Sequence, residues 1–137
     1  MAILEQDLID RIRPIVADKY FLGEEIGLFN RSIDMLLFDR RNLLSIEFKI
    51  KDWKKAIRQI RDHQIAADYS YLCMPKRKVS SELQSSLEEY GIGLWLYDMT
   101  RNELAKEVEA RKSSTQCSFY RNMLINRLLQ KRLESNG

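Results

Sequence analysis

Residues 32–50 read SIDMLLFDRRNLLSIEFKI, two runs of strand-forming residues on either side of a turn-like segment. If Asp39 pairs with Asn42 across a two-residue loop, the register of the resulting hairpin places Asp34 directly opposite Glu47. Side chains alternate between the two faces of a strand. The register therefore predicts that one end of one face gathers the polar residues of the hairpin, namely Ser32, Asp34, Glu47 and Lys49.

The other face of the predicted hairpin is apolar throughout and carries Ile33, Met35, Leu37, Leu44, Ile46, Phe48 and Ile50. Opposed residues have Cβ atoms about 4.5–5.5 Å apart, so Asp34 and Glu47 would repel each other unless a divalent cation lies between them. The Lys49 amine would stand beside such a cation, where it can orient a water molecule or hold a phosphate. A solvent-exposed Glu–Lys pair is the simpler interpretation of the same residues, but the apolar flanks of the cluster favour the first.

Hydrophobic periodicity predicts the remaining elements of the chain. They are a helix at 3–16, a strand at 21–29, a helix from an N-cap at Asp52 to about Ala67, a strand at 69–74, a short helix from Ser80 or Ser81 to near Gly91, a strand at 93–97 and a helix at 117–133. Residues 103–110 are ambiguous. The order predicts an α/β or α+β arrangement around a mixed sheet.

Composition narrows the possible chemistry. The chain has 137 residues, enough for one domain with a substantial core, and a net charge of +3. Two cysteines and one histidine exclude thiolate clusters and His-rich metal sites, and no GxxxxGK or GxGxxG loop is present. Asp, Glu and Lys remain as catalysts, and carboxylates suit hard cations such as Mg²⁺. The acidic N-terminus and the lack of a long apolar run predict a cytoplasmic protein with no membrane partner.

The pattern of Asp34, then Glu47-Phe48-Lys49, then a helix bearing Gln59 resembles the PD-(D/E)XK phosphodiesterase superfamily of restriction-endonuclease-like and Holliday-junction-resolvase-like nucleases. The resemblance covers residues 5–97, and Ile33 stands where the motif name has proline. It implies an α/β fold with a restriction-endonuclease-like mixed β-sheet flanked by helices, an αβββαβ core and a C-terminal helix. The implied division is a nuclease-like core at 1–112 and a C-terminal helical extension at 113–137.

The resemblance also implies roles for these residues in a Mg²⁺- or Mn²⁺-dependent endonuclease. Asp34 and Glu47 would be the principal metal ligands, together with the backbone carbonyl of Phe48. Lys49 would position or activate the attacking water, and Gln59 would orient Lys49 or a substrate phosphate. Glu5 in the first helix would complete the site, although other acids compete for this role, namely Asp7, Asp10, Glu24 and Glu25.

The predicted partner is a nucleic acid, and we expect DNA. A basic stripe on the helix after the hairpin, formed by Lys54, Lys55, Arg58 and Arg61, would follow the phosphate backbone, although such stripes are usually solvated helix faces. His63 on the same helix is interpreted as a surface or helix-face residue rather than a catalyst.

Both the role of the C-terminal helix and the function of the protein leave alternatives open. The C-terminal helix has a wide apolar face, which either caps the core or pairs with a second copy, so a homodimer or a subunit of a larger complex is expected. Two rival functions are a nuclease-fold protein that binds nucleic acid without cutting it and a structural α/β domain in which the Glu-x-Lys spacing is incidental.

Overall fold

A computed structural model describes residues 3–136, with side chains described as far as Lys131. The helices are α1 (Glu5–Val16), α2 (Trp53–His63), α3 (Ser81–Tyr90) and α4 (Ser118–Asn136). The strands are β1 (Phe21–Leu28), β2 (Arg31–Phe38), β3 (Leu43–Phe48), β4 (Tyr69–Pro75), β5 (Gly93–Asp98) and β6 (Glu103–Val108). All predicted elements are present with ends shifted by a few residues, and the ambiguous segment 103–110 contains the edge strand β6.

The six strands form one sheet in the order in which they occur along the chain. Strands β1, β2 and β3 are antiparallel neighbours, β3, β4 and β5 are parallel, and β6 returns antiparallel to β5. The predicted α/β architecture with a mixed sheet flanked by helices is therefore confirmed.

Alternation along the strands divides the core between the two faces of the sheet. Cys73, Trp95 and Tyr97 pack on the same face as the buried side of α1. Their neighbours Leu72 and Leu94 pack with α2 and α3 on the other face. Helix α4 covers the β1–β2 end of the sheet through its buried leucines, Leu124 and Leu128.

The hairpin has the predicted register where the two strands pair, from Met35 opposite Ile46 to Phe38 opposite Leu43. The Asp39 amide donates to the Asn42 carbonyl across the two-residue loop. The Asp39 carboxylate in turn accepts hydrogen bonds from the amides of Arg41 and Asn42. This local bonding fixes the turn, and the turn fixes which side chains of β2 and β3 meet.

One local prediction is wrong. Ile33 does not share a core cluster with Met35 and packs with α4 instead. On the neighbouring strand β1, Glu25 has φ 52° and lies between the paired residues Glu24–Met35 and Ile26–Ile33. Strict alternation of side chains between the two faces of the sheet therefore does not hold at this point. Asp52 is the N-cap of α2, as predicted, although its backbone is left-handed (φ 49°) and its side chain makes no capping hydrogen bond.

Helix α4 is tied to the sheet through Asp68. This buried carboxylate accepts hydrogen bonds from the Leu43 amide at 2.7 Å and from Arg121 at 3.1 Å, and the Arg121 guanidinium also donates to the carbonyl of Arg41. The division at residue 112 stays a prediction, and Met1, Ala2 and Gly137 lie outside the described residues. Within 3–136, no helix combines the length and apolarity needed to cross a membrane.

Candidate functional site

The carboxyl groups of Asp34 and Glu47 meet at the end of the hairpin. Asp34 Oδ2 accepts a hydrogen bond of 2.9 Å from the amide of Phe48, so the β3 backbone holds this carboxylate next to Glu47. Glu47 is 5% exposed. The two acids are hydrogen-bonded neighbours, which is the proximity that the register predicted.

Burial is the largest cause that raises the pKa of Glu47 to about 9, and the charge of Asp34 and a hydrogen bond with Asp34 contribute to the same shift, while Lys49 opposes it. Without a cation, the pair therefore holds a proton at neutral pH. Glu47 Oε2 is buried and has no hydrogen-bond partner. A buried polar atom of this kind is costly unless something binds it.

Lys49 lies between the acid pair and the first helix. Its Nζ is 3.7 Å from Glu5 Oε1, and its side chain is 20% exposed against 47% for Glu5. Of the candidate acids near the start of the chain, Glu5 is thus the one that reaches Lys49. The others bond elsewhere or lie apart: Asp7 caps α1, Asp10 and Glu24 pair with Arg13, and Glu25 lines a cleft beside α4.

His63 is a member of this site that the sequence interpretation placed wrongly on the surface. It is 3% exposed, and its Nδ1 lies 3.9 Å from Glu47 Oε2, too far for a hydrogen bond. Burial lowers the pKa of His63 to about 4, so the imidazole is neutral at pH 7. The i, i+4 spacing of Gln59 and His63 places both residues on one face of the helix, but periodicity alone does not tell which helix face meets the sheet.

Gln59 lies one turn before His63 on α2. Its side-chain oxygen is buried and has no hydrogen-bond partner, so the expected contact with Lys49 is not made through this atom. Together with Glu47 Oε2 and His63 Nδ1, it belongs to a set of buried polar atoms on α2 and β3 that the described residues do not satisfy.

The two carboxylates fit a hard divalent cation as part of its ligand set. Asp34 and Glu47 supply two adjacent carboxylates with an unpartnered buried oxygen, and Mg²⁺ is commonly bound through one or two carboxylates with water completing its shell. Among the described residues, no three His, Cys, Asp or Glu side chains already stand close enough together to hold a metal ion, and Glu5 is paired with Lys49. The residues that would hold the ion are therefore Asp34 and Glu47.

A cleft of about 550 Å³, the basic cleft, lies beside α2. Lys55, Arg58 and Arg61 line it, and so does Arg31 at the start of β2, which the sequence interpretation missed. Asp62 also lines it, 3.9 Å from Arg31. Lys54 of the predicted stripe does not line the cleft. Its Nζ forms an ion pair of 2.9 Å with Glu82 Oε1.

Helix α2 lines the basic cleft and also places His63 beside the acid pair. The charges of Asp62 and Arg31, both in the cleft, act on the pKa of His63 in opposite directions. His63 in turn faces Glu47. A comparison with protein-family models and a search of curated proteins find no match for this chain.

Proposed function

We propose that this protein is a Mg²⁺-dependent nuclease of the PD-(D/E)XK superfamily, with a restriction-endonuclease-like fold, and that it hydrolyses phosphodiester bonds in DNA. The observation that carries the proposal is the buried carboxyl group of Glu47 beside the half-buried Asp34, with Lys49 close enough to act on the pKa of Glu47. A buried acid next to a second acid is unfavourable for folding, and a role in binding a cation accounts for this position.

Each residue of the site would have a distinct role in hydrolysis. Asp34 and Glu47 would hold the cation, which when bound polarises a phosphate and makes a water molecule more acidic. Lys49, whose charge acts on Glu47, would orient the attacking water or offset charge that develops on the phosphate. Glu5 holds the Lys49 amine in position through their ion pair of 3.7 Å.

The basic cleft supports a polyanionic substrate. Lys55 and Arg58 have no ion-pair partner among the described residues, and both are exposed. Unpaired cations along one cleft favour a phosphate backbone, because each contact releases counterions from the nucleic acid.

The test is cleavage of duplex, branched and single-stranded DNA with Mg²⁺ or Mn²⁺, with a chelator as the blank. Glu47→Gln and Lys49→Met keep the size of each side chain and remove the charge. Exposed Glu107→Gln and Lys51→Met are matched controls, because they make the same chemical change outside the site. Loss of metal-dependent cleavage in the first two variants alone, with melting temperatures no lower than that of the wild type, supports the proposal.

Cleavage that persists in Glu47→Gln would contradict the assignment of the site. The alternative is a nuclease-fold protein that binds nucleic acid or a complex partner without cutting it. Salt-sensitive DNA binding with no cleavage in either metal would favour that alternative. A homodimer and a cytoplasmic location stay predictions.

A further inference from the structure

An aromatic patch lies at the start of α4 and the β1–β2 turn. It consists of Phe29, Phe119 and Tyr120, with the ring centroid of Tyr120 5.1 Å from that of Phe29 and 5.4 Å from that of Phe119, both in edge-to-face geometry. Phe29 is 61% exposed and Phe119 is 70% exposed. Four large hydrophobic side chains are exposed among the described residues, and Phe29 and Phe119 are the two aromatic ones. Exposed aromatic rings in contact with one another are typical of a binding surface.

The backbone of Phe29 gives a second, independent indication. Phe29 and Asn30 form the two-residue loop between the paired residues Leu28 and Arg31. Phe29 has φ 58°, a left-handed conformation in which hairpin loops favour Gly or Asn and which is unusual for a bulky residue. Backbone strain of this kind is concentrated at functional sites. Folding alone does not explain a phenylalanine that is both strained and largely exposed.

The aromatic patch and the basic cleft draw residues from the same two chain segments. Arg31, which lines the cleft, follows Phe29 by two residues, and Thr115, which also lines it, precedes Phe119 by four. The same two chain segments therefore contribute rings to the patch and lining residues to the cleft. Within the cleft, Lys55 and Arg58 are cations without an ion-pair partner in the described part of the chain.

We propose that the aromatic patch stacks unpaired nucleobases while the basic cleft holds the phosphates of the same strand. Base–aromatic stacking beside a cationic groove is how proteins bind single-stranded nucleic acid, whereas bases inside a duplex have no free face to offer. The substrate class is then nucleic acid with an unpaired segment, either a single strand or a single-stranded tail joined to a duplex. The inference rests on the nucleic-acid partner of the proposed function but not on its catalysis. Charge complementarity of the basic cleft favours this occupant over a second copy of a chain whose net charge is +3.

The test measures binding in the presence of a chelator, so that cleavage plays no part. Fluorescence anisotropy is recorded with a labelled 20-nucleotide single strand of DNA, its RNA counterpart, the matched DNA duplex and that duplex with an unpaired tail. The variants are Phe29→Asn, which suits the left-handed turn, and Phe119→Ala. Leu4→Ala is the control, because Leu4 is 64% exposed on the approach to α1 and lies outside the patch.

We expect each patch variant to bind the single strand and the tailed duplex between about fivefold and about a hundredfold more weakly than the wild type. Binding of the blunt duplex should be unchanged in both, and Leu4→Ala should behave as the wild type. The DNA and RNA strands show which polynucleotide is preferred.

Several results would overturn the inference. Equal single-strand binding by the wild type and both patch variants removes the role of the rings. A wild type that cuts blunt duplex but does not bind a single strand also overturns it while the proposed function survives. Conversely, ring-dependent binding without cleavage in Mg²⁺ or Mn²⁺ upholds the inference while the proposed function fails. If sedimentation shows that both variants convert a dimer into a monomer with no change in binding, the patch is a self-association surface and the inference is wrong.

Discussion

Replacement of Glu47 by Gln should change the way in which stability depends on pH. Burial and the neighbouring Asp34 raise the pKa of Glu47 from 4.5 to about 9 in the folded protein. Between these two values the folded state holds a proton that the unfolded state has lost, so stability must fall as pH rises. The Gln amide is neutral and can donate a hydrogen bond to Asp34, as the protonated acid does, without titrating.

The magnitude of the fall follows from counting protons. One proton held only by the folded state lowers the free energy of unfolding by about 1.4 kcal/mol for each pH unit. His63 acts in the opposite direction, since burial lowers its pKa from 6.5 to about 4 and its stability contribution rises with pH within that window. The two slopes cancel between pH 4.5 and 6.5. From about pH 6.5 to about pH 8.5 only the Glu47 slope remains, and the wild type should lose about 3 kcal/mol.

The assay is urea unfolding in a chelating buffer, followed by the fluorescence of buried Trp95. The upper limit is about pH 8.5, because the pKa of the Cys73 thiol is raised by burial and adds a slope of its own above that point. Glu47→Gln should gain stability between about pH 4 and about pH 6.5 and then show no further change. At about pH 8.5, Mg²⁺ at a hundred times its Kd should return about 3 kcal/mol to the wild type and nothing to the variant. The same slope above pH 6.5 in both proteins would refute the protonated acid pair, and a wild type that Mg²⁺ does not stabilise would refute the cation site.

Three further predictions concern the surroundings of the site. Asp68→Ala should lower the free energy of unfolding by on the order of 3 kcal/mol in chemical denaturation, because it leaves Arg121 without its buried acid partner; a loss under about 1 kcal/mol would contradict the role of this ion pair. Arg58→Ala should weaken DNA binding and reduce the slope of log K against log salt concentration by about one, and an unchanged slope in a salt titration would remove Arg58 from the phosphate path. Gly93→Ala should lower the melting temperature, because a Cβ at this position would overlap the ring of Tyr71; an unaffected melting temperature would show that the ring can move aside.

The fold was largely predictable because local signals and long-range pairing agree in this sequence. The turn at residues 39–42 is stabilised by hydrogen bonds within itself, so the register of β2 and β3 follows from the turn alone. Once the register is known, Asp34 and Glu47 must lie close together. The order of strands then follows from adjacency, since sequential strands are neighbours throughout this sheet.

The unpredicted features depend on information that periodicity does not contain. His63 and Lys54 occupy the same helix, yet one is buried against Glu47 and the other is bonded to Glu82, because the rotation of α2 on the sheet is set by packing with α3 as well as β3. The left-handed backbone at Glu25 is equally invisible in the residue pattern, since non-glycine residues rarely adopt it. For this reason the side on which Ile33 packs could not be read from alternation.

The acid pair and the aromatic patch share one physical property that connects them. Glu47 is buried with an oxygen that no described residue bonds, and Phe29 exposes a large ring on a strained backbone. Each arrangement lowers the stability of the folded chain, and a more stable sequence is simple to write with Gln at one position and Asn at the other. Both lie next to elements that carry the basic cleft, with His63 between the acid pair and the charges of Asp62 and Arg31. A ligand that brings a cation to the first and unpaired bases to the second would offset both costs at once, and nucleic acid with bound Mg²⁺ is a ligand of that kind.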